Sequence, residues 1–171
     1  MIRVVLIGFM GSGKSTLGKR LAKRLNVSFI DSDAEIENRY GKSIGDIFTQ
    51  NGESYFREIE SNFIDSMHEE AGFVLATGGG MPCFGQNMLK LKALGTTIYL
   101  ERSAKELAHR LIHAKSKRPL LEGLSEEELL QFIEDKLHQR EEIYRSADVI
   151  LPREDQNVDA IQQLMEILQP Q

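Results

Sequence analysis

The octapeptide GFMGSGKS, Gly8 to Ser15, constrains this chain more than any other stretch. It follows the apolar run RVVLI at 3–7 and opens a helical pattern at 14–25, so it reads as a strand, a glycine-rich loop and a helix. It matches G-x-x-x-x-G-K-[ST] at every fixed position, in the strand-then-helix setting that the motif requires. Gly8, Gly11 and Gly13 let the backbone curl until successive N–H groups face inward. The positive end of the following helix adds to their field. Such a nest binds phosphate. Lys14 supplies a point charge for the terminal phosphates, and the Ser15 hydroxyl is a hard oxygen ligand suited to Mg²⁺.

The remaining chain repeats the alternation. Apolar runs at 27–30, 73–76, 96–100 and 148–151 read as further strands, and their near-continuous apolar character fits a parallel sheet covered on both faces. Helical patterns lie at 33–39, at 43–71 with a break near Gly52, and at 86–93, 103–112, 125–146 and 157–168. Ser103 with Glu106 and Ser125 with Glu128 match the Ser-x-x-Glu capping box. Between them runs HAKSKRPLLEG (113–123), basic and broken by Pro119 and Gly123, which suits a mobile flap. The class is α/β, and 171 residues predict one domain, 1–171.

Charge narrows the partners. Twenty-one basic against 26 acidic residues leave a formal charge of -5, which argues against a nucleic-acid binder. Anionic ligands must then be met by local basic clusters. No apolar run approaches the roughly 20 residues that span a bilayer. Cys83 is the only cysteine, so no internal disulfide forms. A cytoplasmic protein without membrane contact is expected. Asn-Lys-x-Asp, which reads guanine in switch GTPases, is absent, so ATP is the favoured nucleotide.

Proteins with this loop usually end their third strand in an acid that helps to hold magnesium. Here TGGG (77–80) follows instead. FIDSDAEIE (29–37) supplies the missing carboxylates: Asp31 is placed to complete the Mg²⁺ shell, and Asp33 to align an acceptor hydroxyl and take its proton. Read as extended chain, residues two apart point the same way. Asp33 as a helix cap is the plainer alternative.

These pieces, with SIGDIFTQNGESYFREIE (43–60), RPLL (118–121) and REEIYRSAD (140–148), resemble the shikimate kinase family over essentially the whole length. The resemblance implies transfer of phosphate from ATP to the 3-hydroxyl of shikimate, with Mg²⁺, in the route to chorismate and aromatic amino acids. It implies a P-loop NTPase fold of the nucleoside-monophosphate-kinase type. That fold has a five-stranded parallel sheet in the order 2-3-1-4-5 with helices on both faces, a substrate-binding helical insertion at about 32–60 and a lid at about 112–124. ATP contacts are implied for Gly11, Ser12, Gly13, Lys14, Ser15, Thr16, the lid's Arg118 and Gln156. Substrate contacts are implied for Asp33, Arg57, Gly79 and Arg140, catalytic roles for Lys14, Asp33 and Arg118, and metal contacts for Ser15 and Asp31. A monomer is expected.

Chemistry fits those assignments. An arginine fork matches a carboxylate with two parallel hydrogen bonds, Arg57 and Arg140 supply two forks, and Glu60 is placed to hold Arg57. Phe48 and Phe56 suit either the face of a small ring or plain core. Three glycines read as room for a ring to approach the backbone, with the Gly79 N–H as donor. The adenine is expected between Arg110 and PREDQN (152–157), where Asp155 and Gln156 stand. A gluconate kinase and a nucleotide-binding protein without catalysis remain as alternatives.

Overall fold

A computed structural model describes residues 2–113 and 123–168 of the chain. The strands are β1 (Arg3–Ile7), β2 (Ser28–Asp31), β3 (Phe73–Ala76), β4 (Thr96–Leu100) and β5 (Val149–Leu151). They pair in parallel as β2-β3-β1-β4-β5, the expected order. The helices are α1 (Lys14–Leu25), α2 (Ser32–Tyr40), α3 (Ile44–Ser66), α4 (Asn87–Leu94), α5 (Ala104–Ile112), α6 (Glu126–Arg145) and α7 (Val158–Leu168).

β1 shows why the sheet needs two covers. Its residues alternate between faces: Val4 and Leu6 join one core with Leu17 and Leu21 of α1 and Ile161 and Met165 of α7. Val5 and Ile7 join the other with Phe63 of α3, Leu91 of α4, Leu107 of α5 and Ile133 of α6. All four of those β1 side chains are fully buried.

Helix ends follow local chemistry. Ser103 and Ser125 each complete a capping box, and Ser43 caps α3 by accepting from the Asp46 N–H. Gly52 adopts φ 82 and ψ 172 inside α3, the predicted break. The pattern read through to 71 ends earlier, in a 3-10 turn at Met67–Glu69. Two further 3-10 turns, Met81–Cys83 and Arg153–Asp155, have no counterpart in the sequence reading. The expected lid at 112–124, apart from its ends, and Arg118 within it lie outside the described residues.

Register positions the site. Asp31 pairs with Ala76, and Ala76 with Leu6. The segment after β3 therefore emerges between the aspartates after β2 and the loop after β1, at the carboxyl edge where open α/β sheets bind ligands. On the opposite side of β2, α1 packs closely: a Cβ on Gly18 would stand 2.6 Å from Cε2 of Phe29. Gly18→Ala gains about 1 kcal/mol of helix propensity but must displace a ring, an overpacking cost of about 1–3 kcal/mol. Its melting temperature should fall in a thermal scan, and an unchanged or higher value would mean that Phe29 moves freely.

Candidate active site

The glycine loop curls as its sequence predicts. Gly8, Gly11 and Gly13 have φ values of 141, 80 and 104°, and Gly13 forms the N-cap of α1. Side chains other than glycine rarely adopt such angles. Lys14, 8% exposed, donates through Nζ to the carbonyls of Gly8 at 2.8 Å and Phe9 at 2.9 Å. Its charge is thus laid across the mouth of its own loop. A cavity of about 270 Å³ is lined by Gly11, Gly13, Lys14, Ser15 and Thr16 on one side, and by Asp31, Asp33, Gly78 and Gly79 on the other.

The aspartates converge by a route different from the one expected. Asp33 is not extended chain; it is the second residue of α2. Asp31, not Asp33, is the cap: its Oδ1 accepts from the N–H groups of Asp33 at 3.2 Å and Ala34 at 3.4 Å. Its Oδ2 accepts from Ser15 Oγ at 2.6 Å. This frees Asp33 from capping, and both carboxylates still line the cavity. Burial, with the neighbouring Asp31 carboxylate next, pushes the Asp33 carboxyl above its usual range; Lys14 opposes the shift. Ser32, fully buried, accepts from the Gly78 N–H at 2.8 Å and donates to Asp33 Oδ1 at 3.4 Å.

The three glycines have partners within the protein. A Cβ on Gly78 would lie 2.5 Å from Asp33 Oδ1, on Gly79 3.2 Å from the Met10 nitrogen, and on Gly80 2.9 Å from an Arg57 guanidinium nitrogen. The room predicted for a ring is taken up first by a carboxylate, the phosphate loop and an arginine. Gly79 does line the cavity, and its carbonyl accepts from the Tyr144 hydroxyl at 2.6 Å.

Arg57 and Arg140 do not line this cavity. Arg57 lines another cavity with Glu53 and Phe84. It donates to Glu60 at 2.6 Å and to Glu53 at 2.9 Å, and its guanidinium carbon lies 3.7 Å from the centroid of the Phe84 ring. Such a stack is worth roughly 0.5–2 kcal/mol. Glu60 holds Arg57 as predicted. Phe56 is core, 4% exposed, and tilts against Phe48 at 4.7 Å; both rings also flank Arg57. Arg140 lies over Phe9, its guanidinium carbon 5.7 Å from the ring centroid. Phe84, Ser32 and Tyr144 escaped the sequence reading because their partners are distant in the chain.

Behind the loop a smaller cavity is lined by Ser12, Thr16, Arg102, Arg110 and Gln156. It brings Arg110 and Gln156 together as expected. Both amide hydrogens of Gln156 are committed, to the carbonyls of Glu101 at 2.7 Å and Leu151 at 2.9 Å. That fixes the side chain and leaves its buried carbonyl oxygen without a partner. Arg102, absent from the sequence reading, donates to the Ser12 carbonyl at 2.9 Å. Asp155 lines neither cavity.

The donor set fits a hard cation: Ser15 Oγ commits its proton to Asp31 and keeps its lone pairs, beside a carboxylate and a phosphate nest. The described residues include no cluster of three or more His, Cys, Asp or Glu side chains able to hold a metal. Oxygen sites completed by substrate phosphates and water do not need one. Among the described residues no helix is long and apolar enough to cross a membrane.

Fold, phosphate loop and facing carboxylate define a P-loop kinase of small molecules. Within that class the chain belongs to the shikimate kinase family, whose model matches residues 10–169. It is 43% identical to a shikimate kinase of Bacteroides fragilis, over 98% of this chain and 97% of that one. The shikimate kinase structure from Bacteroides thetaiotaomicron superposes with a TM-score of 0.91 at 41% identity, covering 98% of each chain. That of Acinetobacter baumannii in complex with shikimate gives 0.85 at 32%, over 98% of this chain and 93% of that one.

Glu60 provides a test of the buried charge. Burial, opposed by Arg57, raises its pKa from 4.5 to about 7. Between those values the folded state binds more protons than the unfolded one, so stability should fall as pH rises from 4.5 to 7. Glu60→Gln should flatten that part of the denaturation profile, and an unchanged slope would place the titration elsewhere.

Proposed function

We propose that this protein transfers the γ-phosphoryl group of ATP to the 3-hydroxyl of shikimate. The observation that carries the reading is the facing of the phosphate loop and Asp33 across one cavity. The chain belongs to the shikimate kinase family, and the Arg57 guanidinium lies against Gly80, next to the Gly79 that lines the cavity. The acid's carboxylate is assigned to Arg57 and Arg140, and its ring to the Gly79 turn. Its reacting hydroxyl is assigned to Asp33, which orients it and accepts its proton. Burial raises the pKa of Asp33 and so makes it a better base than an ordinary aspartate.

The loop residues Gly11 to Thr16 hold the phosphates, and Lys14 offsets charge on the transferred group. Ser15 and Asp31 would hold Mg²⁺, which when bound draws charge from the phosphate oxygens. Arg102, Arg110 and Gln156 form the base end. Arg118 is assigned to the transferring phosphoryl group from the lid side. Small-molecule transfer depends on position and charge, so excluding water limits idle hydrolysis.

The deciding measurement is ADP release with ATP, Mg²⁺ and either shikimate or gluconate. Release with shikimate alone is expected; release with gluconate, or with neither acid, would overturn the reading. Asp33→Asn should lower turnover by about 10²–10⁴-fold with the melting temperature retained, and an active variant would remove Asp33 from proton transfer. Arg118→Ala should depress turnover far more than shikimate binding measured by calorimetry; equal turnover would count against its role.

A further inference from the structure

Tyr144 touches two parts of the proposed acid site without lining its cavity. It sits one helical turn after Arg140 on α6, so the two side chains share a face. It is fully buried, and its ring stacks on Tyr99 of β4 with centroids 5.2 Å apart and planes 30° from parallel. Tyr99 itself is 2% exposed. The ring is thus fixed against the sheet, and its hydroxyl points at the turn after β3, donating to the Gly79 carbonyl at 2.6 Å. With its one proton committed there, the phenol oxygen can only accept from other groups. The Arg140 guanidinium and the Cys83 thiol, from the turn after Gly80, lie within electrostatic reach of the phenol.

From this geometry we propose that Tyr144 is a positioning residue that sets the spacing between Arg140 and the Gly79 turn. The proposal rests on the assignment of shikimate to those two anchors. A small rigid acid held at its carboxylate by Arg140 and along its ring by the turn is gripped at two points. Their separation decides whether its hydroxyl meets Asp33. Phe9 lies beside the guanidinium, and the hydrogen bond from Tyr144 to Gly79 holds the helix that carries Arg140 against the turn. The Tyr144 hydroxyl donates to the Gly79 carbonyl and to neither the phosphate loop nor Gln156, so the ATP end should register the change least.

Tyr144→Phe keeps the ring and its stack and deletes one oxygen. In steady-state assays on the full chain, KM for shikimate should rise about 5–20-fold while KM for ATP stays within twofold. A role in stability alone would lower the melting temperature and leave both KM values where they were; that outcome overturns the proposal. Combination with Arg140→Lys gives a second measurement. If the tyrosine acts through the arginine, the double variant's KM should rise little beyond the larger single effect. Multiplication of the two effects would show that they act independently and would sink the proposal. Native protein that releases no ADP with shikimate would instead refute the assignment of the substrate.

Discussion

At the carboxyl ends of β2, β3 and β1 three pieces of chain meet with no space for even a methyl group between them. The Gly78–Gly80 turn lies against the Asp33 carboxylate, the phosphate-loop backbone and the Arg57 guanidinium in succession. Everything else at the site is arranged around this approach. Parallel register brings the turn between its neighbours, and α2 starts at Ser32 so that Asp33 faces it. The buried Ser32 hydroxyl ties the two together. An alanine at Gly78 would collide with Asp33, so the glycines fix where that carboxylate stands before any ligand arrives.

Around this centre the polar groups are arranged as linked pairs rather than as free charges. Asp31 spends one oxygen on the start of α2 and the other on Ser15. Glu60 and Glu53 share Arg57, and the amide of Gln156 is spent on two backbone carbonyls. Each pairing holds a side chain in one orientation at the cost of its freedom, which sets positions before a ligand binds.

Much of this was legible in the sequence. β1, β3 and β4 fall where the apolar runs lie, because a parallel strand covered on both faces is mostly apolar. Ser103 and Ser125 announced the starts of α5 and α6. The phosphate loop was legible because its chemistry is local, confined to eight consecutive residues. What escaped was either aperiodic or remote. The 3-10 turns at Met81–Cys83 and Arg153–Asp155 carry no repeat to detect. Tyr144 meets Gly79 across 65 positions and Arg102 meets Ser12 across 90, separations that only the fold closes. The aspartates show the subtler failure: their spacing was read on the wrong backbone, since α2 begins one residue earlier than its pattern suggests.

An arginine that already carries two carboxylates is a weak trap for anions in general. Inorganic phosphate or sulfate arriving at Arg57 would meet Glu53 and Glu60 in place and would gain little from charge alone. An acid of the proposed kind, with a ring and a hydroxyl beside its carboxylate, would draw on contacts those ions lack. Selection at such a place works by shape under nearly balanced charge, which keeps the most abundant small anions from occupying it by default.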